Sequence, residues 1–238
     1  MKKIIYTIGI ALIFACTGCS DDDNTLPHVT PEATGTLTDN EGNEYTWVRH
    51  NGIDWMASNF IGGKPYYETT NSWGQDLIKF DSKEQAISDY KIYGNLYTFE
   101  EAVANAPEGW RLPTDEDWKK LEQALGMSGK TTDQTGWRGS AEGELIQQDE
   151  TGSGIRLLLG GYVSIRFFQP YIRQTREYGY YWSSTIDESN PQLTLAFYRR
   201  IRFNSTQIER NLITLEETSY NGTIYQRYMS VRYVRDSR

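Results

Sequence analysis

Pro107-Glu108-Gly109-Trp110-Arg111-Leu112-Pro113-Thr114-Asp115-Glu116-Asp117-Trp118 is the stretch on which the reading of this chain turns. Pro113 and Thr114 set a helix start: the Thr114 hydroxyl can cap the amide of Asp117, and three successive acids favour the positive end of the helix dipole. Trp118, Leu121 and Leu125 then recur at helical spacing and must face a core, and Gly126 ends the helix. Just upstream, Thr98 with Glu101 three residues on forms a capping box that opens a helix over 99–105, which Pro107-Glu108-Gly109 stops. Trp110 and Trp118 fill space beneath the elbow, so the block reads as structural.

Working outward, strands surround these two helices. Residues 34–48 read as a hairpin about the turn 39–43, and Asn51-Gly52 signals a tight turn into a strand at 53–57. Residues 61–92 read as a long polar loop with one short helix near 82–90. After a glycine-rich loop over 129–154, segments 155–165, 178–185, 193–203 and 228–234 are expected to form the central sheet. Asn221-Gly222 marks a hairpin between 206–217 and the last strand.

Composition narrows the function. The 238 residues include two cysteines, Cys16 and Cys19, and two histidines, His28 and His50. Thiol nucleophiles and zinc–thiolate sites are thereby excluded from the domain, and a hydrolase triad would have to use His50 as its base. No catalytic constellation emerges, and the expectation is a protein that is not an enzyme. The 17 Tyr, 7 Trp and 8 Phe suit a sheet-rich domain and also suit binding faces. Charge is uneven: residues 19–150 carry a net −15, whereas 151–238 carry +5 from 12 Arg and no Lys. These arginines either pair with the acidic first half or present planar donors to an anionic or hydroxylated ligand. So acidic a chain is a poor partner for nucleic acid.

The N-terminus carries an address. Met1-Lys2-Lys3 precedes an apolar run over 4–16, too short for a membrane span and suited to an export signal. Thr17-Gly18-Cys19 resembles a bacterial lipobox, with Cys16 as a competing site. Cys19 is preferred because Gly18 is small and the polar run Ser20-Asp21-Asp22-Asp23 follows at once. That run is either a solvated spacer or a surface-export signal like that of Bacteroidetes-type lipoproteins. The expected organisation is a signal peptide over 1–18, a lipidated tether over 19–33 and one domain over 34–238. An outer membrane lipoprotein facing the cell exterior is the expected location, with the lipid membrane as a partner through the acylated N-terminus.

Several blocks then carry a resemblance. Tyr93-Gly94-Asn95-Leu96-Tyr97-Thr98, the 107–118 block, Gly160-Gly161-Tyr162, Tyr180-Tyr181-Trp182-Ser183-Ser184-Thr185 and Ser230-Val231-Arg232-Tyr233-Val234-Arg235-Asp236 occur in order. Together with Trp55-Met56-Ala57-Ser58-Asn59 they resemble the Fibrobacter succinogenes major paralogous domain of surface lipoproteins. The resemblance implies an α+β, C-type lectin-like domain with a twisted antiparallel sheet, two helices and long irregular loops. The Arg111–Trp118 block is also similar to that of the formylglycine-generating enzyme group, whose cysteine chemistry cannot run here. Members often carry cysteine where Ala106 and Tyr233 stand, and losing both is consistent with dropping one disulfide as a pair.

Two functional expectations follow. Calcium, used by many lectins of this fold, has its nearest counterpart in Asp187-Glu188-Ser189-Asn190-Pro191, which lacks the required order, so neither a metal nor another cofactor is expected. The stretch around Arg166, Phe167, Phe168, Tyr171 and Arg173 interleaves arginine with aromatics. Arg199 and Arg202 repeat the theme, and Trp137-Arg138 precedes both. Aromatic faces stack on sugar C–H groups while arginine meets carboxylate, sulfate or hydroxyl. The expectation is a non-catalytic binding module for glycan or extracellular polymer; the alternative is an assembly subunit that binds another surface protein.

Overall fold

The computed structural model describes residues 26–70, 74, 80–148, 152–166, 169–189, 192–215, 217–218 and 224–237. Strands β1 (Thr34–Thr38) and β2 (Glu44–His50) form the expected hairpin. Its turn is built around Asp39, whose carboxylate accepts from the amides of Glu41 and Asn43 at 2.9 Å each and from the Tyr45 hydroxyl at 2.8 Å. Asn51 and Gly52 both adopt positive φ, 48° and 71°, and the chain turns directly into β3 (Ile53–Met56).

A one-turn 3-10 helix (Tyr66–Glu68) and α1 (Phe80–Tyr93) follow. Helix α1 is longer than the short helix expected near 82–90. Helices α2 (Phe99–Ala104) and α3 (Asp115–Ala124) each open on a complete capping box, Thr98 with Glu101 and Thr114 with Asp117. The segment read as a glycine-rich loop instead holds α4 (Gly129–Thr132), β4 (Gly136–Arg138) and α5 (Glu142–Leu145). Strands β5 (Tyr162–Arg166), β6 (Gln169–Arg173), β7 (Tyr178–Asp187), β8 (Leu195–Arg202), β9 (Ile208–Thr214), β10 (Glu217–Thr218), β11 (Ile224–Tyr228) and β12 (Val234–Asp236) complete the described elements.

The class is α+β, as expected, but the strands divide differently. Among the described residues three four-stranded antiparallel sheets replace one central sheet: β1-β2-β3-β12, β10-β11-β5-β6 and β4-β9-β8-β7. Residues 155–161 do not continue β5 backwards. Arg156 sits at φ 50°, a left-handed conformation that no strand carries through. Residues 229–233 form no continuous strand: Ser230 bridges Tyr181 of β7 and Met229 bridges Tyr97, while Met56 N donates to Tyr233 O and Phe60 N to Val231 O, both at 3.0 Å. The hairpin expected at Asn221-Gly222 lies outside the described residues, although β10 and β11 on either side of it do pair antiparallel.

Helix α3 lies against the sheet β4-β9-β8-β7. Trp118, Leu121 and Leu125 are buried with Trp55, Tyr181, Ile201 and Ile208. The Trp55 and Trp118 rings pack at 4.8 Å, and the Trp118 indole donates to Trp182 O at 3.3 Å. On the other side of β7, Trp182 and Tyr180 join Tyr97, Trp110, Tyr198 and Tyr233 in a second aromatic core. Alternation along β7 thus joins the two cores. Among the described residues no helix is long and apolar enough to cross a membrane.

Candidate functional site

Side chains alternate across a strand, so the sheet β4-β9-β8-β7 has two chemically distinct faces. Toward α3 point Arg138, Arg199 and Arg210, one from each of β4, β8 and β9. Glu122 lies fully buried between two of them, accepting from Arg199 Nε and from Arg138 Nη2, each at 2.6 Å. Asp115, the first residue of α3, takes Arg199 Nη1 and Arg210 Nη2, each at 2.7 Å. Burial alone would raise the Asp115 carboxyl; the Arg210 and Arg199 guanidiniums outweigh it and hold the group down at about 2. Burial pushes the Arg138 guanidinium down to about 10, which leaves it charged at neutral pH. Of the two sequence readings for the arginines of 151–238, pairing with the acidic first half describes Arg199 and Arg210. Arg235 with Asp54 extends the same pattern, and Arg111 with Asp117 and Arg49 with Asp54 are further pairs within the first half.

The opposite face carries Trp137, Tyr178, Tyr180, Tyr198, Arg200 and Arg202. The Arg200 guanidinium carbon lies 5.1 Å from the Trp137 and Tyr178 ring centroids and 5.5 Å from that of Tyr180. It is thus held among three π-faces while ion-paired with Glu209 from β9. Tyr162 reaches in from β5, with its ring 4.9 Å from that of Tyr180. Arg202 is exposed and lies 5.8 Å from the Trp137 ring centroid. Trp137 and Tyr178 are each partly exposed. The result is an open aromatic surface with guanidinium donors at its edge, which can stack on the apolar side of a ring and bond its polar substituents.

The family assignment rests on length of match. The model of the Fibrobacter succinogenes major domain matches residues 48–235, from β2 through β12 and across both faces of this sheet. The chain belongs to that family. Comparison with curated proteins and with solved structures gave no match. In this Fibrobacter succinogenes major domain, the distinctive 107–118 block is the helix start and packing elbow that its residues suggested. Trp110 and Trp118 are both buried, and Arg111 reaches across to Asp117 and to Asp236 of β12.

The sequence-selected residues separate. Trp137 and Arg202 come together on the open face. Arg138 and Arg199 sit behind the sheet, where neither guanidinium reaches solvent. The register places Arg173 opposite Tyr162 and Tyr171 opposite Ser164, with Arg166 ending β5. The side chains of Arg166, Tyr171 and Arg173, and Phe167 and Phe168 altogether, lie outside the described residues. Arg200, Tyr178 and Glu209 are the members that sequence reasoning missed. Period-two alternation would have found them: in Tyr198-Arg199-Arg200-Ile201-Arg202, Arg199 must share a face with Ile201, and Arg200 with Arg202.

Other titratable groups are engaged structurally. Every described carboxylate with a displaced pKa is displaced downward (Asp39, Asp54, Asp115, Asp117 and Asp133), the opposite of what a general acid at neutral pH needs. His50 is buried with Nε2 2.7 Å from Ser153 O, and among the described residues no carboxylate is hydrogen-bonded to it. A shallow cleft of roughly 430 Å³ between the β1–β2 turn and the end of α2 is lined by Asp39, Asn40, Glu41, Phe60 and Asn105, but its Asp39 carboxylate is saturated by the turn. In the acidic run that begins at the end of β7, Asp187 accepts from the Ser189 amide at 3.1 Å and hydroxyl at 2.7 Å; Asn190 and Pro191 lie outside the described residues. Among the described residues no group of three or more His, Cys, Asp or Glu side chains is placed to hold a metal ion.

Proposed function

We propose that this Fibrobacter succinogenes major domain is a lipid-anchored, surface-exposed, non-catalytic binding module that engages glycan through the open face of β4-β9-β8-β7. The observation that supports this reading is the placement of Trp137, Tyr178, Arg200 and Arg202 on one surface from three different strands. Such a surface offers ring planes for stacking and fixed donors for orientation. Acylation at Cys19, an outer membrane location facing the exterior and a C-type lectin-like fold belong to the same reading. The antiparallel sheets and irregular connections are compatible with that fold.

A glycan array probed with the full chain in mild detergent, with and without EDTA, tests the reading. Specific hits are expected, independent of EDTA and lost when Trp137→Ala is combined with Tyr178→Ala. EDTA-sensitive hits would reinstate calcium as a cofactor. A blank array from folded protein would overturn the glycan reading in favour of protein assembly, for which β6, the edge strand of its sheet, offers a pairing surface.

A further inference from the structure

We infer that the ligand of the Trp137 face is an anionic polysaccharide, one bearing carboxylate or sulfate groups. The inference rests on the binding reading above and adds the charge of the polymer.

Arg202 carries the argument. Arg138 and Arg199 are neutralised at Glu122, Arg199 and Arg210 at Asp115, Arg200 at Glu209 and Arg235 at Asp54. Arg202, at the end of β8, is exposed, lies against the Trp137 ring and has no carboxylate partner among the described residues. A guanidinium lying on an indole keeps its in-plane N–H groups available. Two of them match a carboxylate or sulfate as a parallel pair, whereas a hydroxyl offers one neutral acceptor.

Behind the same sheet the charges balance: Arg138, Arg199, Arg210 and Lys119 are matched by Asp115, Glu122, Glu116 and Asp133. On the open face Arg200 is matched by Glu209, so the charge offered there is that of Arg202, which an anionic polymer meets as an ion pair and a neutral glycan only as a hydrogen-bond donor. The face is open rather than a pocket and presents Trp137 and Tyr178, so it suits a chain of sugar rings more than an isolated small anion.

Titration calorimetry of the full chain in detergent would use polygalacturonate as the carboxylate probe, dextran sulfate as the sulfate probe and unmodified dextran as the neutral one. Binding of either anionic polymer, weakened by salt and absent for dextran, is expected; which of the two binds identifies the group. Arg202→Gln is expected to weaken that binding about tenfold, the equivalent of one charge-assisted pair, with Arg202→Lys recovering part of it. Dextran binding as tightly as dextran sulfate, with no effect of Arg202→Gln, would overturn the anionic ligand. It would leave the binding face standing if Trp137→Ala still abolished the interaction. Anionic binding indifferent to both substitutions would overturn the inference and the face together. Silence from all three polymers would overturn the inference, the glycan array then deciding the face separately.

Discussion

The Arg232 guanidinium donates from Nε to the Asn59 side-chain oxygen at 2.6 Å, although 173 residues separate the two. Its other donors reach Met56 O at 2.9 Å, Ile155 O at 2.7 Å and Arg156 O at 2.5 Å. The side chain is buried among carbonyl and amide oxygens and the Tyr181 ring. Burial pushes the guanidinium down to about 10, so it stays charged and is solvated by oriented carbonyl dipoles. Arg232 thereby ties the end of β3 to the loop at 155–156.

A lysine at this position keeps the charge and loses the fork. One ammonium cannot reach four acceptors spread over two segments, so Arg232→Lys is expected to cost about 2–4 kcal/mol. Asn59→Ala, which removes one acceptor and leaves the charge, is expected to cost about 1–3 kcal/mol. Urea unfolding followed by tryptophan fluorescence measures both; wild-type stability in the lysine variant would refute the role given to the fork.

The buried cluster behind β8 predicts a non-additive pair. Glu122→Leu strips the partner from Arg138 and half the partner from Arg199 in a fully buried site, an expected loss of about 3–5 kcal/mol. Adding Arg138→Met removes the charge left stranded and is expected to restore part of that loss. A double-mutant cycle by denaturant unfolding decides it: a double variant no more stable than the Glu122→Leu single would show that the cluster does not act as a unit.

What the sequence discloses depends on how local the cause is. Both helix starts were legible because a capping box lies within four residues, as at Thr98 and Thr114. The β1–β2 hairpin and the Asn51-Gly52 turn were legible because turn chemistry fixes their register. Sheet membership was not, since it is settled by pairings such as Val234 with Trp55 that span most of the chain. The break before β5 came from one left-handed residue, Arg156, a type without the asparagine or glycine signature. In the candidate site the arginine-rich strands were legible, but which face each arginine took was not deduced. Composition groups Arg199 with Arg202, whereas the two-residue repeat sets them on opposite sides.

The N-terminal reading makes a chemical prediction. If Cys19 is the acylated residue, cells given labelled palmitate should label the wild-type chain and the Cys16→Ser variant but not Cys19→Ser. Cys19→Ser should also leave the membrane fraction. Label retained by Cys19→Ser and lost by Cys16→Ser would move the anchor to the competing site.

His50 predicts how stability depends on pH. Burial holds its imidazole below the ordinary 6.5, outweighing the Ser153 carbonyl and the Glu32 charge, which favour the protonated form. The unfolded chain therefore takes up the proton first as pH falls. Stability is full above about pH 6.5 and declines below it, until the folded state also protonates, at up to about 1.4 kcal/mol per pH unit. Asp54, Asp115 and Asp117 are held below 3.8 and do not titrate in this window, so among the shifted groups the slope belongs to the histidine. Thermal unfolding between about pH 7.5 and 5.5 should show Tm falling in the wild type and a flatter profile in His50→Gln. The glutamine can still donate to Ser153 O, which separates loss of titration from loss of the hydrogen bond. A wild-type Tm that stays level across that range, or a glutamine variant that keeps the full slope, would remove His50 as the cause.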